Sequence, residues 1–224
     1  LDEAFPRDEI ESLGYNIETV GQKSYNGVAI LSKRPIEEVA HRELPGGGDE
    51  EQARYIEAVI AADTAPVRVA SIYLPNGNPA PGEKFDYKLS WMKRLRDHAA
   101  ALLKLEEITV LAGDYNIIPR EADVHDPDAW ACDALFRPES LDAFYAIRHM
   151  GWADAFEQVD GRAHQYTFWD YQGGAWNKNA GIRIDHLLLS PQAADRLTSV
   201  EIAKDVRAAA KASDHVPVTG VFAL

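Results

Sequence analysis

The sequence predicts an α/β (α+β) fold in which β-sheets pack on each other and helices lie outside. Three observations carry this. Extended runs come in consecutive pairs, YNIETVGQ (15–22) with GVAILSK (27–33), and RYIEAVIA (54–61) with VRVASIYL (67–74). One long amphipathic segment follows them, at 82–106. Strands and helices then mix without strict βαβ alternation, which disfavours a doubly wound parallel sheet.

The elements follow in order. FPRDEIESLG (5–14) reads as a short helix, with Pro6 near its start, acids in its first turn and Gly14 as its stop. The first strand pair is joined by a turn containing Lys23, Tyr25 and Asn26, and the second is broken at Asp63–Pro66. Phe85, Leu89, Met92, Leu95, Ala99 and Leu102 form the apolar stripe of the long helix. ITVLAGDYN (108–116) is mostly apolar, as expected of a strand covered on both faces. Residues 119–139 are Asp-rich and hold Pro119, Pro127 and Pro138; a long surface loop with a short helix around Trp130–Phe136 is expected. SLDAFYAIRHMG (140–151) reads as a helix and QYTFWDYQ (165–172) as extended chain. GIRIDHLLLS (181–190) reads as a strand, with a short helix from Pro191. SDHVPVTGVFA (213–223) is a polar turn entering a final strand.

With 224 residues, 46% of them hydrophobic, and no linker, repeat or low-complexity run, the chain is expected to form one domain, 1–224. No apolar stretch nears the roughly 20 residues that span a bilayer. The opening LDEAFPRDE does not read as a signal peptide, so a cytoplasmic protein without membrane contact is expected. The single cysteine, Cys132, excludes an intrachain disulfide or a cysteine metal cluster, and a packing role is expected for it. The net charge of −13 argues against a passive DNA-binding module. It leaves room for an enzyme whose carboxylates hold a divalent cation, because the metal inverts the local field.

Four strand ends share one peculiarity. IYLPNG (72–77) leaves Tyr73 and Asn76 where a strand gives way to Pro75 and Gly77. LAGDYN ends in Asp114 and Asn116, an i, i+2 pair that shares a face if the chain is extended. IRIDHLLL sets Asp185 in an apolar strand beside Arg183 and His186. SDHVPV places Asp214 and His215 before the last strand. Taken singly, Asp214 reads as a turn residue, His215 as a core histidine, Tyr73 as a core aromatic and Asn76 as part of a P-N-G turn. Asp185 is harder to set aside, because a carboxylate among Ile184 and Leu187–Leu189 is costly unless paired. His215 is the candidate partner; His186 points to the opposite face. Asp and Asn without Cys suit a hard cation, Mg²⁺ or Mn²⁺. With a base to deprotonate water, the set suits phosphate-ester hydrolysis.

Five motifs, IYLPNG, GDYN, YTFWDY, GIRIDHLLLS and SDHVPV, occur in an order that resembles the exonuclease III branch of the endonuclease/exonuclease/phosphatase superfamily. GYN (14–16), GQKSYNGVAILSKRP (21–35) and ARYIEA (53–58) extend the resemblance toward the start of the chain. It implies a four-layer α/β-sandwich built on two packed mixed sheets. It also implies a Mg²⁺-dependent monomeric nuclease, with Mn²⁺ as substitute, that trims 3′ ends and cuts double-stranded DNA 5′ of abasic sites. Asp114 would orient or deprotonate the attacking water, and Asn116 would help position it. Asp185 would fix His215 against the scissile phosphate. Tyr73 would reach the phosphate or leaving group, Asn76 a phosphate oxygen, and Asp214 the metal's shell. Phe168, Ile182 and Ile184 would wall a pocket for the abasic sugar, with Trp169 beside it. Arg54, Lys23 and Tyr25 would lie along the DNA. Lys178 reads as a further phosphate contact or, equally, as a solvated loop lysine.

The resemblance also implies upstream strands carrying W/F-N-I/V-N and Q-E, whose Asn and Glu belong to the metal site; neither motif occurs in this sequence. The expectation is a fragment with weakened metal binding, less stable than a full-length relative. Two other readings compete, a superfamily phosphodiesterase or phosphatase with a non-DNA substrate, and a non-catalytic DNA-binding remnant.

Overall fold

The structure, a computed structural model, describes residues 1–48 and 52–224. Helix α1 (Arg7–Ser12) leads into the hairpin β1 (Asn16–Gly21) and β2 (Gly27–Ser32). Then come β3 (Ile36–His41), β4 (Tyr55–Ile60), β5 (Val67–Tyr73), helix α2 (Glu83–Leu103) and β6 (Ile108–Asp114). Helices α3 (Pro127–Trp130) and α4 (Pro138–Arg148) precede the short β7 (Ala153–Asp154) and α5 (Ala155–Val159). The chain closes with α6 (Ala175–Lys178), β8 (Asp185–Leu189), α7 (Pro191–Ala194), β9 (Leu197–Ile202) and β10 (Val218–Phe222).

Six strands form one sheet in the order β3-β4-β5-β6-β8-β7. Only the β5–β6 pair within it is parallel, and α2 makes that crossover. Alternation along the strands gives the sheet two apolar faces. Ala70, Ile72, Leu111 and Leu188 point to one face and bury against Trp91, Met92 and Leu95 of α2 and Phe144 and Ile147 of α4. Each fully buried side chain of this size contributes about 1.5–3 kcal/mol. The other face is covered by two hairpins. Val28 and Ile30 of β2 pack on Ile56 and Ala58, and Val200 and Phe222 of the β9–β10 hairpin pack near Ile108, Val110 and Leu189.

The predicted architecture of packed sheets with helices outside therefore holds, and its second layer consists of two separate two-stranded hairpins. Several elements differ from the sequence reading. Strands β3 and β9 were not expected; β3 lies at a sheet edge and both show half their residues to water, so neither carries a continuous apolar run. The short helix expected around Trp130–Phe136 instead occupies Pro127–Trp130, where Asp126 caps it by accepting the Ala129 N–H at 3.1 Å. Residues 181–184 precede β8 rather than belonging to it. Cys132 is exposed, so it has no packing role. Among the described residues no helix is long and apolar enough to cross a membrane.

Candidate active site

Tyr73, Asp114 and Asp185 lie on three adjacent strands, β5, β6 and β8, as direct register partners. All three sit where their strands end in this row and point to the hairpin-covered face. Gly113 makes the row possible. Its φ is +149°, and an added Cβ would overlap the Ile72 carbonyl of β5.

Asp114 and Asn116 do meet, by a different route from the one the sequence suggested. Strand β6 stops at Asp114, and Asn116 is left-handed, with φ +47°. An extended i, i+2 pair is thus replaced by a turn in which Asp114 Oδ1 accepts the Asn116 N–H at 2.8 Å. The Asn116 amide turns back and donates to Asp114 Oδ2 at 3.1 Å and to the Leu74 carbonyl at 2.9 Å. Its Oδ1 accepts from Asn76 Nδ2 at 3.1 Å, so both amides sit beside the carboxylate.

The YTFWDY segment joins the remaining parts. It is extended without belonging to the main sheet. Phe168 bridges Ile182 on one side and His215 on the other. Buried Thr167 accepts the Ile184 and Asp185 N–H groups on its hydroxyl at 3.1 and 3.2 Å, while its carbonyl accepts from Val216. These bonds draw β8 and the SDH turn together. His215 Nδ1 lies 2.9 and 3.1 Å from the two Asp185 carboxylate oxygens. Asp214 is half-buried next to it, near its own Ser213 hydroxyl at 3.3 Å.

The charges are strongly interdependent. Burial, with Asp185 as a second negative charge, pushes the Asp114 carboxyl up to about 7. Burial disfavours the His215 cation, but the hydrogen bond and charge of Asp185 outweigh it and raise the imidazole to about 9. At neutral pH the site thus holds a cationic imidazole beside an Asp poised between its two states. Crowded carboxylates flanked by amide oxygens, with no cysteine, suit Mg²⁺, which takes one or two carboxylates and fills its other positions with water and phosphate.

A hollow of about 650 Å³ opens beside the row, lined by Trp130, Tyr166, Phe168, Ile182, His125 and Lys178 among others. The Phe168 ring stands 5.0 Å from the His215 ring, so the hollow and the charged row share a wall. One residue expected in its wall, Ile184, is elsewhere. Trp169 is fully buried behind the hollow, against Tyr166 and Trp176 with its indole N–H on Asn179, and Ile184 is buried in the cluster around Ile118 and Val124. Trp130, not foreseen, takes the wall position. Arg54 stacks on the Tyr73 ring at 4.9 Å and donates to the Tyr73 carbonyl at 3.2 Å. Tyr25 is almost fully exposed and left-handed, and Lys23 is exposed on the same turn, so both stand apart from the row.

Residues 2–215 match the Endonuclease/Exonuclease/phosphatase family. The chain belongs to that family. It is 31% identical to exodeoxyribonuclease III of Haemophilus influenzae, over 99% of this chain and 85% of that one. Its fold is similar to an AP endonuclease from Archaeoglobus fulgidus, with a TM-score of 0.92 and 31% identity over 100% of this chain and 85% of the other. It is also similar to a 3′ phosphatase from Neisseria bound to a product DNA hairpin, with a TM-score of 0.94 and 34% identity over 99% and 84% of the two chains.

Two buried groups were missed by sequence reasoning. Lys88 of α2 is fully buried and donates to the carbonyls of Asn76 at 3.0 Å and Asn116 at 2.7 Å, which clamps the two amide-bearing turns together. Burial pushes its amine down to about 7, against the opposing pull of Asp133 and Asp114. The signal was available, since position 88 falls on the apolar stripe between Phe85 and Met92. Arg183 is the second. It binds Asp123 at 2.9 and 3.0 Å and Asp154 at 2.8 Å, all three groups being buried, and it donates to His186 Nδ1 at 3.0 Å. His186 therefore carries its proton on Nε2 and donates to the Ile117 carbonyl at 2.9 Å, next to Asn116. The carboxylate partners of Arg183 come from 26 to 60 residues away in sequence, so no local pattern announces them.

Proposed function

We propose that the protein is a Mg²⁺-dependent DNA-repair nuclease, with 3′–5′ exonuclease activity and incision 5′ of abasic sites in double-stranded DNA. The observation that carries this reading is the row Tyr73, Asp114, Asp185 with His215, set against an apolar hollow. Ionised Asp114 takes a proton from a water that Asn116 holds beside it, the water oxygen attacks phosphorus, and the P–O3′ bond opposite it breaks, the departing oxygen taking a proton from solvent. Asp185 keeps His215 cationic and oriented, so its Nε2–H faces a non-bridging phosphate oxygen as charge develops there. Asn76 donates to the same group, and Tyr73 stands by the leaving oxygen. Asp214 would lie in the shell of the Mg²⁺, which would supply charge neutralisation at the phosphate. Phe168, Trp130 and Ile182 offer apolar walls against which a bare abasic sugar would pack. Arg54, Lys23, Tyr25 and Lys178 offer contacts to the DNA backbone. The protein acts as a monomer in this reading.

The test is a duplex oligonucleotide with one abasic site, an undamaged duplex with a recessed 3′ end, and a small phosphate ester, each with Mg²⁺, Mn²⁺ or chelator. Cation-dependent cleavage 5′ of the abasic site and trimming of the 3′ end are expected. Turnover of the ester with neither DNA cleaved would replace the nuclease reading with a phosphatase one.

A further inference from the structure

We propose that His41, Glu57 and His98 form a second metal site, for a zinc-class ion, separate from the catalytic row. The three side chains come from different elements. His41 ends β3, Glu57 lies in β4 and His98 projects from α2. His41 and Glu57 are direct cross-strand partners, so their side chains share one face of the sheet. The β3–β4 register shifts between Val39 and His41, an irregularity of the kind that re-aims a side chain at a sheet edge. The ligating atoms of the three all lie within 4.8 Å of one another. His98 Nε2 is 2.6 Å from Glu57 Oε2, and the two imidazoles meet edge-on with centroids 5.1 Å apart.

The chemistry of the set selects the ion. Two imidazole nitrogens and one carboxylate oxygen suit Zn²⁺, Co²⁺ or Ni²⁺, whereas Mg²⁺ prefers oxygen throughout. Three protein ligands and one water complete a tetrahedron. An outer layer is already built around the carboxylate. Tyr55 donates its hydroxyl to Glu57 Oε2 at 2.5 Å, and Arg68 donates to Oε1 at 2.8 Å and is itself tied to Glu107 at 2.6 Å. Such partners fix the orientation of a ligating group. Metal entry would break the Glu57–His98 hydrogen bond and replace it with a bond to each group. Among the described residues, the His41 ring nitrogens have no hydrogen-bond partner to give up. The site shares the α2-covered face with Tyr55, while Asp114 and Asp185 point to the opposite face, so the six-stranded sheet separates the two centres. A metal here would clip edge strand β3 to α2.

The test is Co²⁺ titration of the chelator-treated, Mg²⁺-free protein, followed by visible absorption. One Co²⁺ with the d–d bands of a four-coordinate centre is expected, bleached when Zn²⁺ is added. His41→Ala, at the end of the edge strand, should weaken binding by at least about 10-fold, the lower end of what removal of outer-shell partners alone costs. His98→Ala should do the same, and Asp114→Asn should leave the bands in place. Absence of the bands in the unaltered protein would overturn the proposal. So would their persistence at equal affinity in His41→Ala, or their loss in Asp114→Asn.

Discussion

At the scale of single residues, the active site combines two opposed proton affinities. Asp114 must be ionised to accept a proton, and His215 must be protonated to meet a phosphate. With values near 7 and 9, both conditions hold only between them, so the rate should rise with pH through about 7 and fall above about 9. A divalent cation moves the acidic limb lower. Asp185 raises both groups, so Asp185→Asn should shift both limbs to lower pH, in addition to reducing the rate. A pH–rate profile of the two proteins checks this; limbs that stay in place in the variant would mean that Asp185 sets neither group.

At the scale of elements, the site depends on how β8 is held. Arg183 sits just before that strand with three carboxylates around it, Asp123 and Asp154 buried and Glu157 half-buried. Removing it leaves Asp154 buried without its cation and Asp123 with Arg120 alone, and breaking a buried pair costs about 3–5 kcal/mol. Arg183→Met should therefore lower the denaturation midpoint far more than Arg162→Met, whose ion pair with Asp160 is mostly solvated. Denaturant unfolding of both variants is the check; equal small losses would remove the network's structural role. These elements also show what the sequence made legible. Helix α2 and strand β6 could be read directly, because each carries a long periodic or apolar run. The pairing of Asp185 with His215 was legible because a carboxylate in an apolar strand demands a partner. The turn at Asn116 was not, since nothing local distinguishes a strand that continues from one that stops at Asp114. Lys88 and Arg183 were overlooked because their partners are set by tertiary packing. The misplacement of Ile184 and the unforeseen position of Trp130 have the same origin, since which side chains face the hollow depends on how the 165–172 segment threads between β8 and the SDH turn.

At the scale of the whole molecule, an acidic chain carrying a charge of −13 holds several of its carboxylates among buried cations. Burial opposes the Glu57 charge, but hydrogen bonds from His98, Tyr55 and Arg68 outweigh it and bring the carboxyl down from 4.5 to about 2. Asp123 and Asp154 are likewise lowered: burial opposes their charge, while Arg120 and Arg183 around Asp123, and Arg183 beside Asp154, outweigh it. A carboxyl whose value is lower in the folded state adds stability above its unfolded value and loses it as pH falls. These carboxyls should therefore make thermal stability drop progressively as pH falls from about 4.5 toward 2. A thermal melt series across that range tests it, and a transition temperature flat down to the lower end would contradict it. Asp114 has the opposite sign. Raised to about 7, it destabilises the fold increasingly as pH climbs from 3.8 toward that value, a cost carried at the site for the sake of its chemistry.

The most direct test of the central claim is single-turnover cleavage of an abasic duplex by Asp114→Asn at pH 8 in Mg²⁺, beside the unaltered protein. Because the substitution removes a buried charge, the variant should melt no lower than the parent at that pH, which separates lost chemistry from lost fold. The account predicts a rate reduced by about 10²–10⁴, the range expected for loss of a general base. A variant that is folded and cleaves within a few-fold of the parent would show that Asp114 is not the residue that receives the proton of the attacking water.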